Sequence, residues 1–200
     1  MDMKRRRSRG NPWQDHYTRR ARDEKYPARS VYKLKEIQKK VRLIRPGDRV
    51  LDLGCAPGSW LIHAAELTGP SGTAVGIDLT PVTTPLPAQA AARVGDVFEP
   101  GTVEALGSPF DVVMSDMAPS TTGNRVVDAA RSVALCERAL EIAGAVLVEG
   151  GRFVCKIFQG EDVEAVSDRV RKAFETHKTF KPQSSRKASR EIYLIGLGKR

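Results

Sequence analysis

The chain has 200 residues, 40% of them apolar and 28% charged, enough for one domain with a buried core and ordinary for a globular protein. Its formal net charge of +9 is segregated: residues 1–45 hold 16 Lys/Arg against 5 Asp/Glu, residues 171–200 hold 9 against 2, and residues 46–170 hold 8 against 17. No apolar run reaches the roughly 18 residues of a membrane span, and the basic start "MDMKRRRSRGN" has no apolar stretch behind it to make a secretory signal.

Residues 1–28 are polar and Arg-rich, with Gly and Pro, and are expected to be a flexible basic segment without regular structure. "SVYKLKEIQKKVRLI" places Val31, Leu34, Ile37, Val41 and Ile44 at helical spacing, with Ser30 as a candidate cap. "RPGDR" then turns the chain. Strand and helix alternate from there. "RVLDL" reads as a buried strand, residues 58–68 as a helix, and "TAVGID" as a second strand. "TPVTTPLPAQ" carries three prolines and cannot be a regular helix. "ARVGDVF" is a short strand, 101–107 a short helix, "FDVVMSD" a strong strand and 124–146 a long helix. "GRFVCKIF" is a further strand, followed by a helix over 161–175 and two late strands, "HKTFKP" and "REIYLIGLG". Parallel strands joined by crossover helices predict an α/β fold, a mostly parallel seven-stranded sheet covered on both faces, with the late pair as an antiparallel hairpin at one edge. Residues 29–200 form one domain on this reading.

Three scattered cysteines, Cys55, Cys136 and Cys155, suit a reducing compartment, and a cytoplasmic location is expected. His16, His63 and His177 lie far apart and no Cys or His pair has ligand spacing, so no metal site is expected.

In an open parallel sheet, ligands bind beyond the C-terminal ends of the strands. "DLGCAPGSW" stands there after the first strand, with Gly54 and Gly58 allowing close backbone approach. Asp78 ends the second strand, where a carboxylate can accept both hydroxyls of a ribose. Asp96 follows the next strand and can take the exocyclic amine of adenine. A glycine turn with these two acids suits an adenosyl ligand without phosphates. S-adenosylmethionine fits, because its sulfonium favours the acidic middle of the chain.

Four charged residues stand in apolar or turn-like surroundings: Lys33 on the first helix, Asp116 at the end of "FDVVMSD", Lys156 within "GRFVCKIF" and Glu191 opening the last strand. A lysine inside an apolar strand costs desolvation unless it is paired or reaches the strand mouth. The order and spacing of "ARSVYKLKEIQ", "VLDLGCAPGSW", "GIDLTPV", "GDVF", "VVMSDMAPSTTG", "GRFVCKIFQGE" and "KPQSSRKASREIYLIG" resemble the FtsJ-like ribosomal RNA 2′-O-methyltransferases. The resemblance implies a Rossmann-like S-adenosylmethionine-dependent fold and a catalytic tetrad on Lys33, Asp116, Lys156 and Glu191. It implies a cofactor site on Gly54, Cys55, Pro57, Gly58, Trp60, Asp78, Leu79, Asp96, Val97 and Asp116. Packing beneath the turn is an equal alternative for Trp60. Ser59 departs from a second glycine frequent in bacterial members.

The implied reaction is methyl transfer to a ribose 2′-oxygen, with a uridine of large-subunit ribosomal RNA as the expected target. Transfer RNA is an alternative substrate, and a ribosome-assembly protein that merely keeps the fold is an alternative class. Lys156 can serve as a base or as a group that orients the hydroxyl, and the sequence leaves both open. The expected partner is ribosomal RNA within the large subunit, met by a monomer. Arg19, Arg20, Arg22, Lys25, Arg29, Lys35, Lys181, Arg186 and Lys187 are the expected phosphate contacts, which position more than they specify. Tyr26 or Tyr32 could stack on a base, although packing on the domain is the plainer role for Tyr32.

The segregated charge predicts that RNA affinity falls steeply with salt, by about 10³-fold or more between 50 and 200 mM if six or more phosphates are held. Filter binding across that range checks it; a flat profile would reject phosphate gripping.

Overall fold

The structure is a computed structural model and describes residues 12–107 and 109–200. The first part of the expected basic segment, residues 1–11, lies outside the described residues. Seven strands form one sheet in the order β3-β2-β1-β4-β5-β7-β6. They are β1 (Arg49–Leu53), β2 (Thr73–Asp78), β3 (Ala90–Val94), β4 (Phe110–Ser115), β5 (Leu147–Phe158), β6 (Phe174–Phe180) and β7 (Glu191–Lys199). The first five pair in parallel; β7 runs antiparallel to both β5 and β6. The expected edge hairpin is present, with β7 inserted between β5 and the edge strand β6. The Glu and Lys side chains of exposed β6 guard that edge.

The described residues form five helices, α1 (Pro12–Asp23), α2 (Val31–Val41), α3 (Ser59–Thr68), α4 (Arg125–Val146) and α5 (Val163–Ala173), and α2 to α5 cover the sheet. None is long and apolar enough to cross a membrane among the described residues. The central strands send alternate side chains to opposite faces. Leu51, Leu53, Val113, Phe153 and Cys155 meet α4 and α5 on one face. Val50, Met114, Val154 and Tyr193 meet Leu34 and Ile37 of α2 and Leu61 of α3 on the other. Both faces of β1 are therefore buried, with Asp52 the charged residue inside an otherwise apolar Val50–Leu53 run.

Several local expectations need correction. A helix replaces irregular chain over Pro12–Asp23. Its Ala21 is buried with Tyr26, Val31, Tyr32 and Ile62, and Tyr17 packs on Tyr32 at 5.2 Å between ring centroids. These few apolar contacts, spread among arginines, anchor a segment whose composition reads as unstructured. Ser30 makes no side-chain cap to α2; its carbonyl instead accepts the Trp60 indole N–H at 2.9 Å. Helix α2 stops at Val41 because Arg42 adopts a left-handed φ of 51°, so Ile44 packs from outside the helix. Strand β3 ends at Val94, before Asp96, and the expected helix near 101–107 is a single 3₁₀ turn, Glu104–Leu106.

At the edge of the sheet away from the strand mouths, Arg152 is buried with Asp48 at 2.8 Å and donates to the Leu43 carbonyl at 2.9 Å. Removing one partner strands the other charge in the interior. Arg152→Ala is expected to lower unfolding free energy by about 3–5 kcal/mol, read by urea denaturation.

Candidate active site

Strand order reverses between β1 and β4, so the loops after them part and leave a crevice beyond the strand ends. The loop after β1 is shaped by Gly54 and Gly58, with φ of 78° and 109°. A Cβ on Gly54 would collide with the Met117 side chain. Loop and crevice wall thus touch through a bare backbone.

The crevice holds a cavity of about 560 Å³. Gly54, Asp78, Leu79, Asp96, Val97 and Asp116 of the expected cofactor set line it, with Phe98 and Met117 beside them. Asp78 also braces the turn: Oδ2 accepts the Ala56 N–H at 3.0 Å and Oδ1 accepts the Thr80 N–H at 2.8 Å. Asp96 accepts the Phe98 N–H through Oδ1 at 2.9 Å. Cys55, Pro57, Gly58 and Trp60 do not reach the wall of this cavity. Cys55 is buried and Pro57 faces solvent. Gly58 starts α3. Trp60 is buried beneath the turn, its ring stacked on Tyr193 at 5.8 Å.

Among the described residues the lining carries three carboxylates, from Asp78, Asp96 and Asp116, and no Lys, Arg or His. Such a wall suits a cationic ligand without phosphates. A fourth carboxyl sharpens this fit. Asp52, on β1 two residues before Gly54, is fully buried, and neither of its oxygens has a hydrogen-bond partner. Burial, with Asp116 and Asp78 nearby, pushes its acid well above the usual carboxylate range. A sulfonium and an ammonium brought to this turn would relieve that repulsion. S-adenosylmethionine therefore fits the residues present.

The four scattered charges meet at one edge of the cavity. Asp116 follows Met114, Lys156 follows Val154, and Glu191 precedes Tyr193, each by two residues. All therefore take the face that α2 covers, where Lys33 sits beside buried Leu34. Because β7 is antiparallel, its first residue lies at the mouth of the parallel strands, with Glu191 opposite Phe158. Lys156 Nζ lies 2.9 Å from Asp116 Oδ1 and donates to the Asp116 carbonyl at 2.5 Å. Lys33 Nζ lies 2.8 Å from Glu191 Oε2 and 3.8 Å from Asp116 Oδ1. Burial pushes the Asp116 acid up, but Lys156, Lys33 and the Tyr193 hydroxyl outweigh it and hold the group below the usual carboxylate range. Tyr193, which sequence reasoning missed, donates its hydroxyl to Asp116 Oδ1 at 2.6 Å. Its signal was its place two residues after Glu191. Asp52 was also missed, because it reads as one more buried position of a strand.

A second cleft, about 240 Å³, opens on the far side of this cluster and shares Ala118 with the first. Lys33, Lys156, Glu191, Arg29 and Arg186 line it. The other expected phosphate contacts divide. Arg19, Arg22, Lys25, Lys181 and Lys187 lie on the surface with Arg186. Lys35 and Arg20 turn to Glu24, at 2.5 and 2.7 Å, and lie over the Tyr32 ring. Tyr26 and Tyr32 are both buried, leaving neither in position to stack on RNA.

The signature of the FtsJ-like methyltransferase family matches residues 26–199. The chain is 62% identical over 192 residues to a ribosomal RNA large subunit methyltransferase E of Desulforapulum autotrophicum, covering 95% of each. A crystal structure described as a ribosomal RNA methyltransferase from Plasmodium falciparum superposes with a TM-score of 0.76 at 24% identity, covering 87% of this chain and 98% of that one. Fibrillarin of Aeropyrum pernix, solved with S-adenosyl-L-methionine, superposes with a TM-score of 0.57 at 17% identity over 78% of this chain and 68% of its own. At these identities the two structures carry the fold alone.

The raised acid of Asp52 fixes a pH dependence. The folded chain retains a proton that the unfolded carboxyl, with an ordinary value of about 3.9, gives up. Its favourable contribution is full below that value and is lost as pH climbs above it. An amide carries no such proton. The melting temperature of Asp52→Asn relative to the parent chain is therefore expected to shift in the variant's favour from about pH 4 to pH 8. A difference that is constant across the series would refute an un-ionised Asp52.

Proposed function

The chain belongs to the FtsJ-like methyltransferase family, and from that premise we propose that it methylates a ribose 2′-oxygen of large-subunit ribosomal RNA, at a uridine, using S-adenosylmethionine. The observation that carries this reading is the Lys33, Asp116, Lys156 and Glu191 cluster standing between an acidic cavity and a basic cleft. A cationic methyl donor suits the first and a polyanion the second. The name of the Desulforapulum relative supports the large-subunit substrate. We assign the transferase to residues 29–200 and give the basic residues 1–28 to RNA binding. The protein acts as a monomer in the cytoplasm, with its ribosomal substrate.

Bound in the acidic cavity, S-adenosylmethionine supplies a methyl group on positively charged sulfur. Asp78 and Asp96 would hold the ribose hydroxyls and the adenine amine, and Leu79, Val97 and Phe98 would supply apolar wall. Gly54 gives the close backbone approach, while Cys55, Pro57, Gly58 and Trp60 hold the turn in shape. Lys156 spends two of its three ammonium donors on Asp116. The third holds the 2′-oxygen and turns a lone pair toward the methyl group, so Lys156 orients rather than abstracts. Lys33 and Glu191 fix the opposite side of the hydroxyl, and the 2′-proton passes to water at the open cleft. Placement of this kind can supply much of the rate.

Incubation of the protein with large ribosomal subunits, free ribosomal RNA and transfer RNA, followed by nucleoside analysis, tests the substrate. 2′-O-methyluridine in large-subunit RNA is the expected product. Methylation confined to transfer RNA would move the substrate there, and no methyl transfer to any RNA would overturn the proposal. Lys156→Ala is expected to lower single-turnover transfer at least about 10²-fold, with cofactor affinity by calorimetry within about two-fold. Near-normal transfer would remove Lys156 from the mechanism.

A further inference from the structure

A third cleft, about 220 Å³, lies beside the one that receives the reacting ribose. Phe158 and Ser189 line both, so they form the wall between the two. The new cleft is completed by Arg125 and Asp128 of α4 and by Ala188 and Arg190 of the loop before β7. Asp128 accepts from the Thr122 N–H and hydroxyl through Oδ1, at 2.8 and 2.9 Å, so it is engaged in holding its own loop. Arg190 donates to the Gln159 carbonyl. Arg125 makes no ion pair among the described residues.

We propose that this cleft receives the nucleotide next to the one methylated, with its base stacked on Phe158 and its phosphate on Arg125. The inference rests on the 2′-O-methylation reading above. A ribose placed against Lys156 is tied by phosphodiester bonds to a neighbour on each side. That neighbour must pass over a wall of the reacting cleft, and the Phe158–Ser189 wall opens directly onto a second cavity. The aromatic ring matches a base, and the guanidinium matches a phosphate. Phe158 is well fixed for this role. It is two residues beyond Lys156 on the same face of β5, about 6.6 Å along the strand. It lies opposite Glu191, and its N–H is held by the Ser132 hydroxyl at 2.9 Å. With Tyr26 and Tyr32 buried, Phe158 is the aromatic residue that the reacting cleft offers to RNA.

The test measures methylation of large-subunit ribosomal RNA by Phe158→Leu, Phe158→Trp, Phe158→Ala and Arg125→Ala, with cofactor affinity and circular dichroism recorded for each. Leucine keeps apolar bulk without a stacking face; tryptophan keeps the face. Phe158→Leu and Phe158→Ala are expected to raise KM for RNA about ten-fold, in the range that loss of one stacked base gives. Cofactor affinity stays unchanged, and Phe158→Trp restores the parent KM. Arg125→Ala is expected to raise KM and to reduce the salt slope of RNA binding by about one. A Phe158→Leu chain with the parent KM, or a Phe158→Trp chain as defective as Phe158→Ala, would show that the ring only packs and would overturn the inference. Parent protein that methylates RNA alongside such variants leaves the enzymatic reading standing, whereas parent protein that transfers no methyl to RNA removes both.

Discussion

One carboxylate, Asp116, organises the cluster at the strand mouths. It is almost enclosed, and its charge survives only because Lys156, Lys33 and the Tyr193 hydroxyl converge on it. Enclosure alone would push its acid up, as it does that of Asp52 on the neighbouring strand. The two aspartates show the same burial acting with and without cations, and the contrast divides the site. On the Asp52 side of the crevice the protein shows unbalanced negative character. On the Lys156 side each carboxylate is matched by an ammonium.

The sheet makes that convergence possible. Asp116 and Lys156 come from neighbouring parallel strands, so their mouths coincide without further adjustment. Glu191 could not join them from another parallel strand at its own N-terminus, since that end would point to the opposite edge of the sheet. Reversing β7 brings its first residue to the mouth and Tyr193 under the cluster. The stack of Tyr193 on Trp60 then ties the cluster to the glycine turn, and the Trp60 indole ties both to the start of α2, which carries Lys33. Ser59 adds a second tie by accepting the Ala28 N–H at 2.7 Å. One aromatic pair and two hydrogen bonds thus couple the loop that faces the cavity to the helix that faces the cleft.

Most of the sheet was legible in the sequence, because buried parallel strands are unbroken apolar runs and their joining helices have apolar stripes. The tetrad was legible as charges that apolar surroundings make expensive, and the resemblance of long motifs joined them. What escaped has physical reasons. Helix α1 is held by a few aromatic contacts and by Lys35 and Arg20 on Glu24, which arginine-rich composition hides. Lys35 and Arg20 read as RNA contacts because a sequence counts charges without their intramolecular partners. Trp60 could be placed near the turn but not above or below it, since either position gives the same pattern. Asp52 looked like ordinary strand because its neighbours are apolar on both sides.

Strand β7 also has a consequence in time. Its residues 191–199 supply both Glu191 and Tyr193, yet it lies inside the sheet between β5 and β6. During synthesis the glycine turn, Asp116 and Lys156 emerge long before it. A nascent chain therefore carries both walls of the crevice before its strand-mouth cluster is complete, with Lys33 lacking Glu191 and β6 lacking β7. The cluster is completed only when β7 occupies the gap between β5 and β6. A chain that stopped short of β7 would leave Lys33 without Glu191 and Trp60 without its aromatic partner.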